Sequence, residues 1–126
     1  MKNAAPYIRQ QFYASISGIP VFEEGEALSE QEYVVIGNQT VTQANDKRTL
    51  ADAITQTIEV VVVNKTKKRL DEIATGVMNQ VDVPTNADFQ IIAPTNAGRN
   101  YLTEKSITGD IVRRLIITYT FLIIQR

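Results

Sequence analysis

The sequence predicts an α+β fold, in which a mainly antiparallel sheet of about four to five strands carries two helices on one face. Two segments have apolar residues at helical spacing, and residues 53–63 alternate between apolar and polar types. The final segment, residues 111–124, is rich in β-branched and aromatic residues. Because turn residues separate most of the predicted strands, we expect antiparallel neighbours, with one crossover through the second helix.

The first helix is predicted over residues 3–16. Its apolar stripe recurs at every fourth residue, at Ile8, Phe12 and Ile16. Gly18 and Pro20 end this helix, because neither favours a helical continuation. A short edge strand at Val21 and Phe22 is expected next, followed by an acidic connector that ends at Glu32.

The centre of the chain predicts a strand over residues 33–42, a second strand over 53–63 and a helix over 66–80. On the second strand, Gln56 interrupts an otherwise apolar face. Asn64 or Thr66 can cap the helix. The helix has apolar residues at helical spacing, namely Leu70, Ile73, Ala74, Val77 and Met78.

The last third of the chain predicts two further strands, with turns before the first strand and between the two. Residues 89–93 form a short strand, residues 94–109 are rich in turn residues, and residues 111–124 form a long strand. The string Pro-Thr-Asn-Ala occurs at 84–87 and again at 94–97. We interpret the two copies as turns on either side of the short strand.

Composition bounds the possible functions. The 126 residues suit one domain, spanning 1–126, and the net charge of −1 gives no reason to expect tight binding of nucleic acid. With no histidine and no cysteine, the chain cannot build Ser-His or Cys-His nucleophiles or imidazole metal sites. We therefore expect neither an enzyme nor a bound cofactor or metal. A carboxylate-based hydrolase, using the acidic connector from Glu23 to Glu32, is a remote alternative.

The chain gives no sign of a membrane protein. Its N-terminus, Met1-Lys2-Asn3, does not lead into the apolar core of a secretory signal. The longest nearly apolar stretch, residues 115–124, is much shorter than the roughly 18 residues of a membrane-spanning helix. We interpret it as a buried strand.

Two groups of opposite charge are candidates for contacts between subunits. The acidic group is Glu23, Glu24 and Glu26, and the basic group is Lys65, Lys67, Lys68 and Arg69. We expect them to face each other between neighbouring copies or along the axis of an assembly. A polar loop is expected to contact a partner, and its residues are Gln43, Ala44, Asn45, Asp46, Lys47, Arg48 and Thr49.

The final strand is apolar on both of its sides. One side carries Leu115, Ile117, Tyr119, Phe121 and Ile123, and the other carries Ile116, Leu122 and Ile124. Val61 and Val63 extend the second side if the neighbouring strand is in register. Two short helices can cover only one face of the sheet, so we expect the second apolar face to be covered by another protein.

These segments, taken in order, resemble the tail-terminator, or tail-completion, proteins of long-tailed bacteriophages. The resemblance covers a helix ending near Gly18, Pro20-Val21-Phe22, the acidic connector and the string Tyr33-Val34-Val35-Ile36-Gly37. It continues through the polar loop, the strand 57–63, the helix 67–78 and the strand 113–124. Residues 84–109 depart from the pattern.

The resemblance implies a structural virion protein that forms a homo-oligomeric, hexameric ring. Such a ring caps the head-proximal end of the tail tube, stops its polymerisation and binds the head–tail connector or stopper protein. Viral DNA would pass through the lumen without being read, and assembly would take place in the host cytoplasm. The alternatives are a connector or stopper ring of the phage neck and, more remotely, a cellular adaptor domain that binds one partner.

Overall fold

The computed structural model describes residues 4–23, 30–43 and 51–125. These described residues form two helices and five strands. Their bounds are α1 Ala5–Ser15, β1 Val21–Glu23, β2 Glu32–Gln43, β3 Ala51–Val63, α2 Lys67–Gln80, β4 Phe89–Lys105 and β5 Ile111–Gln125.

The five strands form one sheet in the order β1-β2-β3-β5-β4. All neighbouring pairs are antiparallel except β1 and β2, which are parallel. Strands β3 and β4 lie on either side of β5, so the connection through α2 crosses over β5. The predicted fold class and the predicted crossover are both confirmed.

The core lies between the sheet and the two helices, which pack on the same face. Ile8 and Phe12 of α1 and Leu70 of α2 are buried against the sheet. The Phe12 ring meets Tyr119 and Phe121 of β5 edge to face, with ring centroids 5.4 Å and 5.9 Å apart. Such pairs stabilise a core beyond the area that they bury, by about 0.5–1.5 kcal/mol each. The predicted apolar stripes of both helices therefore have their predicted role.

Two polar residues just before α2, Asn64 and Thr66, have different structural roles. Thr66 caps the helix, since its hydroxyl accepts a hydrogen bond of 3.1 Å from the backbone N–H of Arg69. Asn64 adopts a left-handed backbone conformation, with φ of 57°. Its side chain donates to Asp110 and accepts from the Ile111 N–H, both at 2.9 Å. Asn64 therefore ties the end of β3 to the start of β5.

Strand β4 corrects the prediction of a turn-rich segment at 94–109. It runs without interruption from Phe89 to Lys105 and is paired with β5 throughout. Its register shifts between Ile92 and Thr95 and again between Asn96 and Gly98. These two irregularities accommodate the turn residues inside an edge strand, where proline is tolerated.

A third irregularity, in β2, is stabilised by a buried amide. The register of β2 shifts between Ile36 and Gln39. Gln56 is fully buried, and its Nε2 donates to the carbonyls of Gly37 at 3.1 Å and Thr57 at 2.9 Å. Arg9 of α1 donates to the Gly37 carbonyl as well, at 2.9 Å. The polar residue that interrupts the apolar face of β3 therefore satisfies backbone groups at the bulge.

Candidate assembly site

The sheet face opposite the helices, called the open face below, is the candidate site. On β5, the residues that face the helices are buried, namely Leu115, Ile117, Tyr119, Phe121 and Ile123. The intervening residues of β5 lie on the open face and are partly exposed, namely Val112, Arg114, Ile116, Thr118, Thr120, Leu122 and Ile124. The predicted division of β5 into two apolar sides is confirmed.

One end of the open face has a small apolar cluster of its own. Tyr33, Val35 and Val61 are buried there, and Phe22, Val63 and Val112 are packed against them. Val61 is completely buried, so it cannot contact a neighbouring subunit, and its inclusion among the interface residues is corrected. Its partner on β5 is Arg114, which means that Val61 does share the open face as predicted. Val63 remains partly exposed.

Strand β4 adds exposed apolar residues that sequence reasoning missed. Ile92 is 41% exposed and pairs with Leu122, and Leu102 is 40% exposed and pairs with Arg114. Both lie on the open face, because residues directly opposite each other in a sheet share a face. Leu102 lies in the segment that was interpreted as turn-rich, so it was assigned no face. Ile92 lies in the predicted strand 89–93, but the partner and register of that strand were not predicted.

A band of threonines crosses the middle of the open face. Thr55 and Thr57 of β3 lie beside Thr120 and Thr118 of β5. The hydroxyls of Thr55 and Thr120 are 3.4 Å apart. All four are partly exposed. Because threonine presents both a methyl and a hydroxyl group, this band can contact apolar or polar groups of a partner.

Charged side chains lie close to the apolar cluster on the same face. Arg114 Nη1 is 3.4 Å from Glu59 Oε2, and Arg114 Nε is 4.0 Å from Glu104 Oε1. Burial raises the pKa of the Tyr33 hydroxyl, although the nearby Arg114 opposes this shift. Tyr33 is therefore neutral at physiological pH. The open face thus combines apolar residues with an ion-pair group near one end.

The structure pairs three of the predicted interface charges, Glu23, Lys65 and Arg69, within the subunit. Glu23 lies 3.5 Å from Arg9 of α1. Arg69 forms two hydrogen bonds to Glu32, at 2.6 Å and 3.0 Å, and Lys65 lies 3.5 Å from the same carboxylate. The hydrogen bonds from Arg69 hold the pKa of Glu32 below its ordinary value, although desolvation opposes them.

The remaining predicted contact residues are placed as follows. The Lys67 ammonium lies 4.6 Å from the centre of the Tyr101 ring, and Lys68 is exposed. Glu24 and Glu26 lie outside the described residues. Gln43 ends β2, whereas Ala44, Asn45, Asp46, Lys47, Arg48 and Thr49 also lie outside the described residues. The contact between opposite charges of two subunits and the partner-binding loop stay predictions.

The described part of the chain has neither a membrane-spanning helix nor a group of side chains suited to hold a metal ion. Within residues 4–23, 30–43 and 51–125, no helix has both the length and the apolar character to cross a membrane. Over the same ranges, no three acidic, histidine or cysteine side chains are grouped so that they could hold a metal ion.

Comparison with known proteins adds a structural likeness. No protein-family model and no curated protein matches the sequence. A chain of a solved structure described as the virion of a native gene transfer agent particle has the same fold, with a TM-score of 0.65 and 16% sequence identity. The match covers 94% of this chain and 92% of that chain, so the likeness extends over the whole fold and not over one motif.

Proposed function

We propose that this protein is a structural subunit of a phage-like virion, in which it forms a ring at the head-proximal end of the tail. The ring would cap the tail tube, stop its polymerisation and join the tail to the head connector. The proposal assigns no catalytic role to the chain and no cofactor.

The observation that carries this proposal is the exposed apolar surface of the open face. It occurs on a fold that is also found in a chain of a gene transfer agent virion. The helices cover one face of the sheet, while Ile116, Leu122, Ile92 and Leu102 remain partly or largely exposed on the other. Several exposed apolar side chains on one face of a sheet are typical of contacts with other proteins. A virion subunit needs such contacts with its own copies and with its neighbours in the particle.

The charge of the chain is compatible with a ring through which DNA passes. The net charge of the chain is −1. Tight binding of a phosphate backbone requires a large excess of lysine and arginine on one surface. A chain with so little net charge would let DNA move through the ring without being retained or read.

The experiment that tests the function is removal of the protein from particle-producing cells, followed by electron microscopy of the tails. A tail-capping ring predicts tubes of abnormal length that are not joined to heads. Tails of normal length that fail to join heads would instead favour the alternative, a connector or stopper ring of the neck. Particles of normal appearance that still infect or transfer DNA would contradict both the tail-capping role and the neck-ring role.

A further inference from the structure

The acidic groups of the open face lie together at one of its ends, beside the apolar cluster. Glu59 and Glu104 lie there on either side of Arg114, at 3.4 Å and 4.0 Å from its guanidinium. Glu30 and Asp110 border the same end, because they line one concavity with residues of the apolar cluster. Asp110 accepts its hydrogen bonds from neutral side chains, so its charge is not balanced by them. Among the described residues, this acidic end has four carboxylates and one guanidinium, a net charge of −3.

The opposite side of the subunit carries the reverse charge. It consists of α2, the residues just before it and the helix-facing residues of β4 and β5, and it is called the basic surface below. Its cations in the described part of the chain are Lys65, Lys67, Lys68, Arg69, Arg99, Lys105 and Arg113. Three carboxylates lie among them, Glu32, Asp71 and Glu72. Seven cations and three carboxylates give the basic surface a net charge of +4.

Contacts within the subunit join the parts of the basic surface. Arg113 Nε donates to the Lys65 carbonyl at 3.0 Å, which ties β5 to the segment before α2. The Tyr101 hydroxyl of β4 donates to Asp71 of α2 at 2.7 Å, and the Lys67 ammonium lies over the same ring. Tyr101 itself is 43% exposed. The basic surface therefore also presents an aromatic side chain to a partner.

The acidic end and the basic surface lie at the same end of the subunit but on opposite sides of the sheet. The acidic end includes the turn before β5, and the basic surface includes Arg113 near the start of β5. When the acidic end of one copy meets the basic surface of the next, unlike charges approach each other. Two copies that meet through the same surface bring like charges together, which costs free energy. The charges therefore favour a contact between different surfaces, and a repeated contact of this kind closes into a ring.

A second copy of the chain satisfies both surfaces at once. A phosphate backbone would neutralise the basic surface, but it would leave the exposed apolar residues of the open face in water. Leu102 is one of these residues, since it is 40% exposed and pairs with Arg114 at the acidic end. The basic surface of another subunit brings cations to the carboxylates, and its lysine stems and the Tyr101 ring cover apolar side chains.

We infer that the basic surface of one subunit docks on the acidic end of the open face of the next. This inference rests on the proposed ring and names the two surfaces that build it. The predicted basic group then meets the carboxylates of the open face. It does not meet Glu23, whose carboxylate already lies 3.5 Å from Arg9 within its own subunit.

Two combined variants each reverse the charge of one surface. The basic-surface variant combines Lys67→Glu, Lys68→Glu and Lys105→Glu, which changes the charge of that surface from +4 to −2. The acidic-end variant combines Glu30→Lys and Glu104→Lys, which changes the charge of that end from −3 to +1. All five side chains are exposed, so both variants should fold, which circular dichroism checks.

The matched controls place charges of the same signs elsewhere on the subunit. Gln10→Glu with Ala14→Glu adds negative charge to α1, and Asn79→Lys with Asp82→Lys adds positive charge at the C-terminal end of α2 and just beyond it. These four positions are exposed and lie outside both surfaces. Both controls should assemble like the wild type.

The native mass of the variants, alone and mixed, tests the inference. Alone, each reversed variant should need a concentration about tenfold higher than the wild type, or more, to assemble, because every contact then brings like charges together. Mixed in equal amounts, the two should assemble at nearly the wild-type concentration, because each surface of one variant then meets an opposite charge on the other. High salt should weaken assembly of the wild type.

The outcomes separate this contact from the ring itself. A reversed variant that forms rings alone as readily as the wild type would overturn the contact and leave the ring in place. A mixture that assembles no better than its components would do the same. A wild type that stays monomeric would contradict both the ring and this contact.

A gel-shift assay with short duplex DNA tests the other occupant of the basic surface. We expect no retardation of the DNA by assembled wild-type protein, because the neighbouring subunit covers the cations. Retardation by the wild type that is lost in the basic-surface variant, while that variant still forms rings, would assign the basic surface to DNA and overturn the inference.

Discussion

Glu59 of β3 and Arg114 of β5 are diagonal neighbours on the open face, with 3.4 Å between the carboxylate and the guanidinium. Their side chains are 26% and 29% exposed, so water still reaches both. In an isolated subunit such a pair contributes about 0–1 kcal/mol. The pair becomes more important when a second protein covers the open face. Removing one of the two charges would then leave the other buried and unpaired.

This relationship gives the first prediction. Arg114→Met should lower the stability of the isolated subunit by less than about 1 kcal/mol. It should weaken assembly much more, by about 3–5 kcal/mol, because Glu59 would be buried unpaired. The double variant with Glu59→Met should recover most of that loss. Urea unfolding measures the stability of the subunit, and sedimentation measures its assembly. Equal losses of free energy in the two measurements would refute the idea that a partner covers the pair.

The second prediction concerns the apolar residues of the open face. Leu122→Asp or Ile116→Asp should leave a folded subunit that does not assemble, since the charge would be buried only in the assembly. Leu115→Asp is the contrasting variant, because Leu115 is 1% exposed in the core and its replacement should prevent folding. Circular dichroism and native mass check both. A folded Leu122→Asp variant that still forms rings would place this residue in solvent.

The cap of α2 provides a prediction about stability alone. Thr66→Ala removes the acceptor of the Arg69 N–H and should cost about 1 kcal/mol of unfolding free energy. Thr66→Ser keeps the hydroxyl and should recover most of it. Chemical denaturation at a fixed temperature measures the difference. An alanine variant as stable as the wild type would show that the cap contributes nothing to the fold.

The lowered pKa of Glu32 predicts a dependence of stability on pH. The folded state favours the charged carboxylate, so its contribution is present above the ordinary value of 4.5 and is lost as the pH falls through the lowered value. Glu32→Gln should therefore be less stable than the wild type at neutral pH, and the gap should close in acid. A gap that persists unchanged well below pH 4.5 would contradict this assignment.

Periodicity predicted most of the fold because the helices and central strands bury one regular face. The stripe through Leu70, Ala74 and Val77 and the alternation on β5 left few alternatives. The second half of β4, residues 98–105, was missed because it lies at the sheet edge and is exposed on both faces. This half of β4 is extended because it pairs with β5. Pairing of that kind does not require an alternating apolar pattern in the sequence of the edge strand.

The candidate site was predicted only in part, because periodicity reveals the faces of one strand but not which strands are neighbours. Ile116 and Leu122 follow from alternation within one strand. Their neighbours Ile92 and Leu102 depend on the register of β4, and the pairing of Arg69 with Glu32 depends on where α2 meets β2. Neither relationship can be obtained from spacing along the chain, because each joins segments at least ten residues apart through the fold.

The central claim is that this chain closes into a ring, and the mass of the native particle in solution tests it most directly. The subunit has a mass of 14.1 kDa, so a hexameric ring has a mass of about 85 kDa. We expect native mass spectrometry to find one closed species of this size, without larger open polymers. A protein that remains at 14.1 kDa, or stops at a dimer, at all accessible concentrations would contradict the account.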